Sequence, residues 1–495
     1  MPPAPDRYDA FAYPGFSYPN THPDRLATMA ILHGLSPAPV ERCRLLEVAC
    51  GEGANLIPIA YAIPAGDFVG FDLARLPVER AQTRIRDLGL TNVRIFQGDV
   101  LESGPDLGRF DYIVAHGLYS WAPAPVRDRL LALCSELLAP DGIAFVSYNA
   151  LPGSYLRRML RDAMLFGTQG VEDAEQSVTA GLEFLHTIAA GRPEGDAYRM
   201  LLEDQLRRLG SHSAAGTFHD ELSPEFYPLY FADFVEHARK YGLGYLCDAE
   251  VPPPSDPCYR ADLQQAIHAV SGGDVIKQEQ AFDFFRMRSY RETLLCRSDR
   301  PIRRGFFPES FESLSLASQA TPHAAEKAGA RIFELPGGAR MEASDPAVIW
   351  LLEQLGQRWP HSLSFRELKP LLAGLGLNLD SAGTLLLVRL VISRMMALSA
   401  WSPPLAESIS ARPRASASAR REARDGLTAS TLLHLTLKLD DAKVRALLML
   451  LDGTRNRSEL VQAMLALFPE SSEAEIEEGI DGSLRNFYAF GALEA

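Results

Sequence analysis

Leu45-Leu46-Glu47-Val48-Ala49-Cys50-Gly51-Glu52-Gly53-Ala54-Asn55 is the stretch that sets the fold of this chain. A short apolar run carries one acid, breaks into glycines and then enters a helical pattern, which reads as a strand, a tight turn and a helix start. Gly51 and Gly53 have no side chains, so a ligand can come close to the backbone of the turn. A second apolar run, Phe68-Val69-Gly70-Phe71, ends on Asp72, twenty-one positions past Gly51. A carboxylate at that offset can accept both hydroxyls of a ribose.

The charge around the turn selects among nucleotides. A dinucleotide fingerprint wants G-x-G-x-x-G, and here Gly51-Glu52-Gly53-Ala54-Asn55-Leu56 lacks the third glycine. Glu52 and Glu47 would place negative charge near a diphosphate. An acidic strand end suits a ligand with a cationic amino-acid end, a ribose and no phosphate, which describes S-adenosylmethionine. The pattern resembles motif I of class I methyltransferases. On that resemblance Glu47, Ala49, Gly51, Gly53, Asn55, Asp72 and Leu73 form the cofactor site. Asp99, after the third strand, faces the adenine amino group, and Val100 packs on the ring.

Alternation continues downstream. Val93-Arg94-Ile95-Phe96, Phe110 to His116 and Gly142 to Asn149 read as strands three to five, and Val126 to Leu138 has an apolar helix face of period 3.6. Strand and helix alternating over 45–150 is the mark of a doubly wound parallel α/β sheet, which binds ligands beyond the carboxyl ends of its strands. His116, Tyr119 and Asn149 fall at such ends. Leu243 to Val251 and Arg291 to Arg297 supply two closing strands, the last antiparallel. They follow a helical insertion over 154–210, so 151–300 completes the sheet.

Composition sets further bounds. At 495 residues the chain needs two or three domains. A formal net charge of −14 argues against a nucleic-acid substrate, because phosphate binding relies on a basic surface. Six scattered cysteines without a CxxC pair argue against zinc and a disulfide framework, so no metal is expected and a reducing cytoplasm fits. No stretch approaches the roughly 20 apolar residues of a membrane span.

Residues 1–44 read as an aromatic, proline-rich arm (Tyr8-Asp9, Tyr13-Pro14-Gly15-Phe16, Tyr18-Pro19) and a helix that Thr21 caps. The arm is expected to lie over the cofactor as a lid, with Tyr18 the tyrosine nearest the transferred methyl. Residues 301–330 read as linker. Residues 331–495 read as a mainly α, winged-helix-like domain with strand pieces at Ala330 to Leu335 and Leu432 to Leu439. The acidic balance favours a protein-contacting or dimerising role for that domain over DNA binding, so a homodimer is one expectation. Ser, Ala, Pro and Arg over 402–426 suggest a flexible connection by composition.

Several motifs together resemble one family. These are Thr-His-Pro-Asp-Arg-Leu at 21–26, Cys-Gly-Glu-Gly-Ala-Asn-Leu-Ile-Pro at 50–58, Ala-His-Gly-Leu-Tyr-Ser-Trp at 115–121, Val-Ser-Tyr-Asn at 146–149, Thr-Leu-Leu-Cys-Arg at 293–297 and Leu-Asp-Gly-Thr-Arg at 451–455. They are similar to bacterial methyltransferases with a methyltransferase regulatory domain. That family includes rickettsial protein-lysine methyltransferases acting on surface proteins. The resemblance also implies that 402–426 is ordered. Two departures, Ser154-Tyr155 and the Asp220-Glu221 after His219, touch substrate contacts more than cofactor binding. The acceptor is then a protein lysine or, alternatively, a small molecule; a cofactor-binding regulator without turnover is the third reading. Aromatic candidates for the acceptor pocket are Tyr18, Tyr119, Trp121 and Tyr148, with His116 and Asn149 as polar ones. His219 is expected to be structural.

Overall fold

The apolar runs before residue 300 form seven strands of one sheet: β1 (Arg44–Val48), β2 (Asp67–Asp72), β3 (Val93–Gln97), β4 (Phe110–Ala115), β5 (Leu138–Asn149), β6 (Leu243–Asp248) and β7 (Tyr290–Arg297). They are ordered β3-β2-β1-β4-β5-β7-β6. Strands β1 to β5 pair in parallel, and β7 runs antiparallel to both β5 and β6. The computed structural model describes residues 11, 13, 15–210, 213–253, 256–305 and 307–495. Tyr8, Asp9 and Pro14 of the expected arm lie outside the described residues.

The parallel strands are buried on both faces, which is why they read as near-continuous apolar runs. The helix Ala124–Leu137 shows how periodicity becomes packing. Leu130, Leu131, Leu133, Cys134 and Leu137 are all buried against the sheet. Each such leucine contributes about 1.5–3 kcal/mol as an upper bound. The helix stops at Leu137 because β5 begins at Leu138, four residues earlier than Gly142, where the sequence places it. The strand order switches direction between β1 and β4, the place where a doubly wound sheet binds ligands in the crevice beyond the carboxyl ends of its strands.

The insertion contains the helices Ser154–Gly167, Ala174–Ala190 and Ala197–Leu209, with a small core of their own. Two local expectations change. His22, not Thr21, caps the helix Pro23–Leu32, its Nδ1 accepting from Asp24 N at 3.1 Å; Thr21 ends a preceding short 3-10 turn. The segment 301–330 is not a plain linker. It contains β8 (Ser315–Ala317) and β9 (Thr321–Ala324).

With β10 (Arg331–Glu334) and β11 (Arg340–Ala343), β9 forms one small antiparallel sheet. β8 is the central strand of another, between β12 (Leu363–Ser364) and β13 (Ala397–Ser399). These elements and the helices Pro346–Arg358, Phe365–Gly374 and Ser381–Ile392 share a core continuous with one face of the large sheet. The remainder of the expected 331–495 domain has a separate core. It comprises the helix Ala417–Asp425, the hairpin of β14 (Thr428–Ser430) and β15 (Thr436–Lys438), and the helices Ala442–Leu450, Arg457–Leu467 and Glu473–Ala489. Residues 402–426 are ordered: Ala415 N donates to Leu451 O, and Ser416 Oγ caps the helix through Ala419 N.

Candidate active site

The turn after β1 needs backbone that side-chained residues adopt at a cost. Ala49, Gly51 and Gly53 all have positive φ, at 58°, 53° and 70°. A Cβ on Gly53 would meet Ile95 at 2.6 Å and Ile57 at 2.9 Å, so this position requires glycine twice over. A Cβ on Gly51 would meet nothing within 4 Å, so that face of the turn opens onto the crevice. Cys50 N donates to Phe71 O at 3.1 Å and Gly98 N to Asp72 O at 2.9 Å, which ties together the ends of β1, β2 and β3.

Asp72 is held at the mouth of the turn. Its Oδ2 accepts from Gly51 N at 2.8 Å and its Oδ1 from Ala74 N at 2.9 Å. Leu73 beside it is exposed at the lip. Asp99 accepts from Leu101 N at 2.9 Å, and Val100 is buried. Glu47 is buried in the strand end; its Oε1 accepts from Asn55 Nδ2 at 2.9 Å. Glu47 Oε2 is buried with no hydrogen-bond partner among the described residues. Burial lifts the Glu47 carboxyl to about 8, with the Asp72 charge adding to the rise and the Asn55 bond opposing it. A buried carboxylate oxygen without a donor is costly, and a cationic group is what such an oxygen would accept. The donor set, the glycine turn and the Asp72 carboxylate therefore fit S-adenosylmethionine, with its ammonium, sulfonium and ribose.

The arm lies against this turn. An added Cβ on Gly15 would stand 2.4 Å from Ala54 Cβ, and Tyr18 N donates to Asn55 Oδ1 at 3.0 Å. The Tyr18 ring stacks on His116 at the end of β4, with centroids 3.8 Å apart. The other side of His116 meets Phe145, and its Nε2 is 3.1 Å from the Tyr290 hydroxyl. Burial lowers the His116 pKa to about 4, so the ring is neutral at physiological pH. Burial, helped by the Asp220 and Glu47 charges, raises the Tyr18 phenol to about 12. Tyr290 is raised too, by burial of its hydroxyl, with Glu292, Tyr18 and Asp220 adding to the rise. Asp220 also lies 3.4 Å from the Tyr13 hydroxyl. Asn20 Nδ2 donates to Glu292 Oε2 at 2.6 Å, and burial raises the Glu292 carboxyl.

The other sequence candidates lie elsewhere. Tyr119 is fully buried in the sheet core, edge-on to Phe234, with its hydroxyl 2.6 Å from His237 Nδ1. Tyr148 is buried beside it, bonded to Thr293 Oγ1. Both are corrections to an acceptor-pocket role: strand and turn residues that read as aromatic and near a carboxyl end point into the core instead. Trp121 lies under the Arg157 and Arg161 guanidinium groups. Asn149 is buried, with its N donating to Ser120 Oγ and its Oδ1 accepting from Arg157 Nη1 at 2.8 Å. Arg157 pairs in turn with Glu221, so Asn149 fastens the insertion to β5. His219 is buried against Phe11 and Phe218. Sequence reasoning missed Tyr290 and Glu292, and met Asp220 only as a departure beside His219 that touches substrate contacts. Tyr290 was within reach, since the antiparallel register sets it opposite Asn149.

A model for a methyltransferase domain matches residues 45–142, one described as a predicted methyltransferase regulatory domain matches 215–297, and one for a PKMT C-terminal winged helix domain matches 411–479. The uncharacterized protein RP028 of Rickettsia prowazekii is 32% identical over 234 residues, 47% of this chain and 94% of that protein. This chain belongs to the bacterial class I methyltransferases with a regulatory domain. The uncharacterized protein RP789 of the same organism is 31% identical over 316 residues, 64% of this chain. That match spans 57% of the RP789 length. PKMT2 from Rickettsia typhi, solved in complex with AdoHcy, is 23% identical, covers 97% of this chain and 99% of its own, and superposes with a TM-score of 0.86, so the two share a fold over nearly their whole lengths. In this methyltransferase the donor end of the crevice comes from the 45–142 domain. Asp220, Tyr290 and Glu292 all come from the regulatory segment 215–297. Among the described residues, no helix is long and apolar enough to cross a membrane.

Proposed function

We propose that the protein is an S-adenosylmethionine-dependent N-methyltransferase acting on lysine side chains of a protein. The observation that carries this reading is the cluster next to the cofactor turn, where the rings of Tyr18, His116 and Tyr290 meet and the carboxyls of Asp220 and Glu292 lie close by. A lysine arrives as a cation. Aromatic faces attract it by about 0.5–2 kcal/mol, and carboxylates add to that field. His116 adds no competing charge, being neutral at pH 7, and the two phenols stay protonated.

The bound cofactor would supply an electrophilic methyl on its sulfonium. Glu47 and Asp72 are the residues that would hold it, by its cationic end and its ribose. For displacement the amine must be neutral. With a lysine pKa near 10.4, that costs about 4 kcal/mol at pH 7.4. Enclosure among rings lowers the cost by disfavouring the ammonium. Tyr18 and Tyr290 stay protonated and the neutral His116 ring is only a weak base, so their work is to orient the amine and exclude water. The resemblance to rickettsial protein-lysine methyltransferases and the PKMT winged-helix match support a protein acceptor.

The test is transfer from tritiated S-adenosylmethionine to fractionated bacterial lysate, followed by hydrolysis of labelled protein. Label recovered as methyl-lysine is the expected result. Label confined to small solutes would replace the protein acceptor by a metabolite, and no label would mean a binding protein without turnover.

A further inference from the structure

The C-terminal unit reaches into the cofactor turn at one point. His434 sits in the turn between β14 and β15 with φ at 57°, and the turn is closed by Thr431 N to Leu435 O and His434 N to Thr431 O, both 2.9 Å. Its ring is buried, and Nε2 lies 2.8 Å from Asn55 Oδ1. Around it the same hairpin holds the arm: the Ser430 and Ser17 hydroxyls are hydrogen-bonded, and Thr436 Oγ1 donates to Ser17 O at 3.4 Å.

Asn55 is where this contact takes on meaning. Its amide can face two ways, and which way is decided by the groups around it. Three donors point at Oδ1: Tyr18 N, Thr21 Oγ1 at 3.1 Å and His434 Nε2. Thr21 has a single hydroxyl proton and a shorter alternative in Tyr18 O at 2.8 Å. The committed donors are therefore Tyr18 N and His434. With Oδ1 fixed by them, Nδ2 must face Glu47 and occupy Oε1, which leaves Oε2 buried with no hydrogen-bond partner among the described residues. Burial keeps the His434 ring neutral, with the nearby His22 acting in the same direction.

We propose that His434 is a positioning residue of the cofactor site, setting the Asn55 amide and, through it, the Glu47 carboxylate that receives the cationic end of the cofactor. The C-terminal unit is on this account part of the methyl-donor site and not only a surface for partners. This rests on the methyltransferase reading above.

The test is calorimetric binding of S-adenosylhomocysteine to the full-length chain. His434→Ala should weaken binding about tenfold, the size of one lost hydrogen bond. His434→Gln, whose amide can donate to the same oxygen, should recover most of that loss. In a cycle with Asn55→Ala, the double variant should bind no worse than Asn55→Ala alone, because both changes break one link. Binding by His434→Ala within twofold of wild type would overturn the proposal, as would multiplying losses in the double variant. If His434→Ala does not fold, the glutamine variant decides: wild-type-like affinity supports the proposal and a tenfold loss overturns it. Failure of the wild-type chain to bind S-adenosylhomocysteine would overturn the methyltransferase reading itself.

Discussion

Within the crevice, the end lined by Glu47, Gly51, Asn55 and Asp72 comes from one stretch of chain, residues 47–72, whereas the end lined by Tyr18, His116, Asp220 and Tyr290 draws on four segments. The donor end is a backbone device. Its shape is set by three positive φ angles and a carboxylate pinned by two amides. The proposed acceptor end is a side-chain device, rings and acids brought together only when the arm, the sheet and the regulatory segment have all packed. A backbone device breaks sharply when one residue is changed. A side-chain device can lose one member and keep its outline.

The contrast is open to direct attack. Gly53→Ala should give the largest effect, because it meets both a left-handed backbone and Ile57 and Ile95 at under 3 Å. A loss of about 2–5 kcal/mol of stability is expected from strain plus overpacking, measured by urea unfolding. A loss below 1 kcal/mol would mean the turn is less rigid than its geometry. Next comes Asp72→Ala, which should weaken S-adenosylhomocysteine by about 1.5–3 kcal/mol, the worth of hydrogen bonds to a charged group. Calorimetry with unchanged affinity would take Asp72 out of the site.

Glu47 gives a smaller, pH-dependent effect. Its carboxyl sits at about 8 in the folded chain, against an ordinary value near 4.5. Between those values the native state holds a proton that the unfolded chain has lost, so this group's contribution to stability is present below about pH 4.5 and is lost as pH rises through 8. The slope is at most about 1.4 kcal/mol per pH unit for one proton. Bound S-adenosylhomocysteine, by favouring the carboxylate, should flatten it, and Glu47→Gln should remove it. Melting curves from pH 5 to 8.5 that fall equally for wild type and Glu47→Gln would assign the slope to other groups. The smallest effect sharpens the acceptor end. Tyr119→Phe loses only the bond to His237, so it should cost about 1 kcal/mol of stability while leaving methyl transfer per folded molecule unchanged. A large drop in turnover at full stability would return Tyr119 to the acceptor cluster.

This division also explains what could be read ahead of the structure. The donor end was legible because its physics is local: glycines where φ is positive, an acid at a fixed distance, and a helix starting straight after. The doubly wound sheet and its two closing strands followed from the alternation of strand and helix and from two late apolar runs. Tyr119 and Tyr148 misled because strand-end aromatics look alike in sequence whether they face the crevice or the core. Glu292 was hidden because its neighbour in space, Asn20, is far away along the chain, and Asp220 showed as a departure beside His219 without its distant neighbours Tyr13 and Tyr18. His434 carried no signal at all, since a histidine in a short hairpin turn has no pattern to announce its partner.

Tyr18 touches both the cofactor turn and the proposed acceptor end, its amide on Asn55 and its ring on His116. A single residue shared in this way makes the two sites thermodynamically linked. Whatever factor the methyl donor applies to the hold on the acceptor, the acceptor must return to the donor.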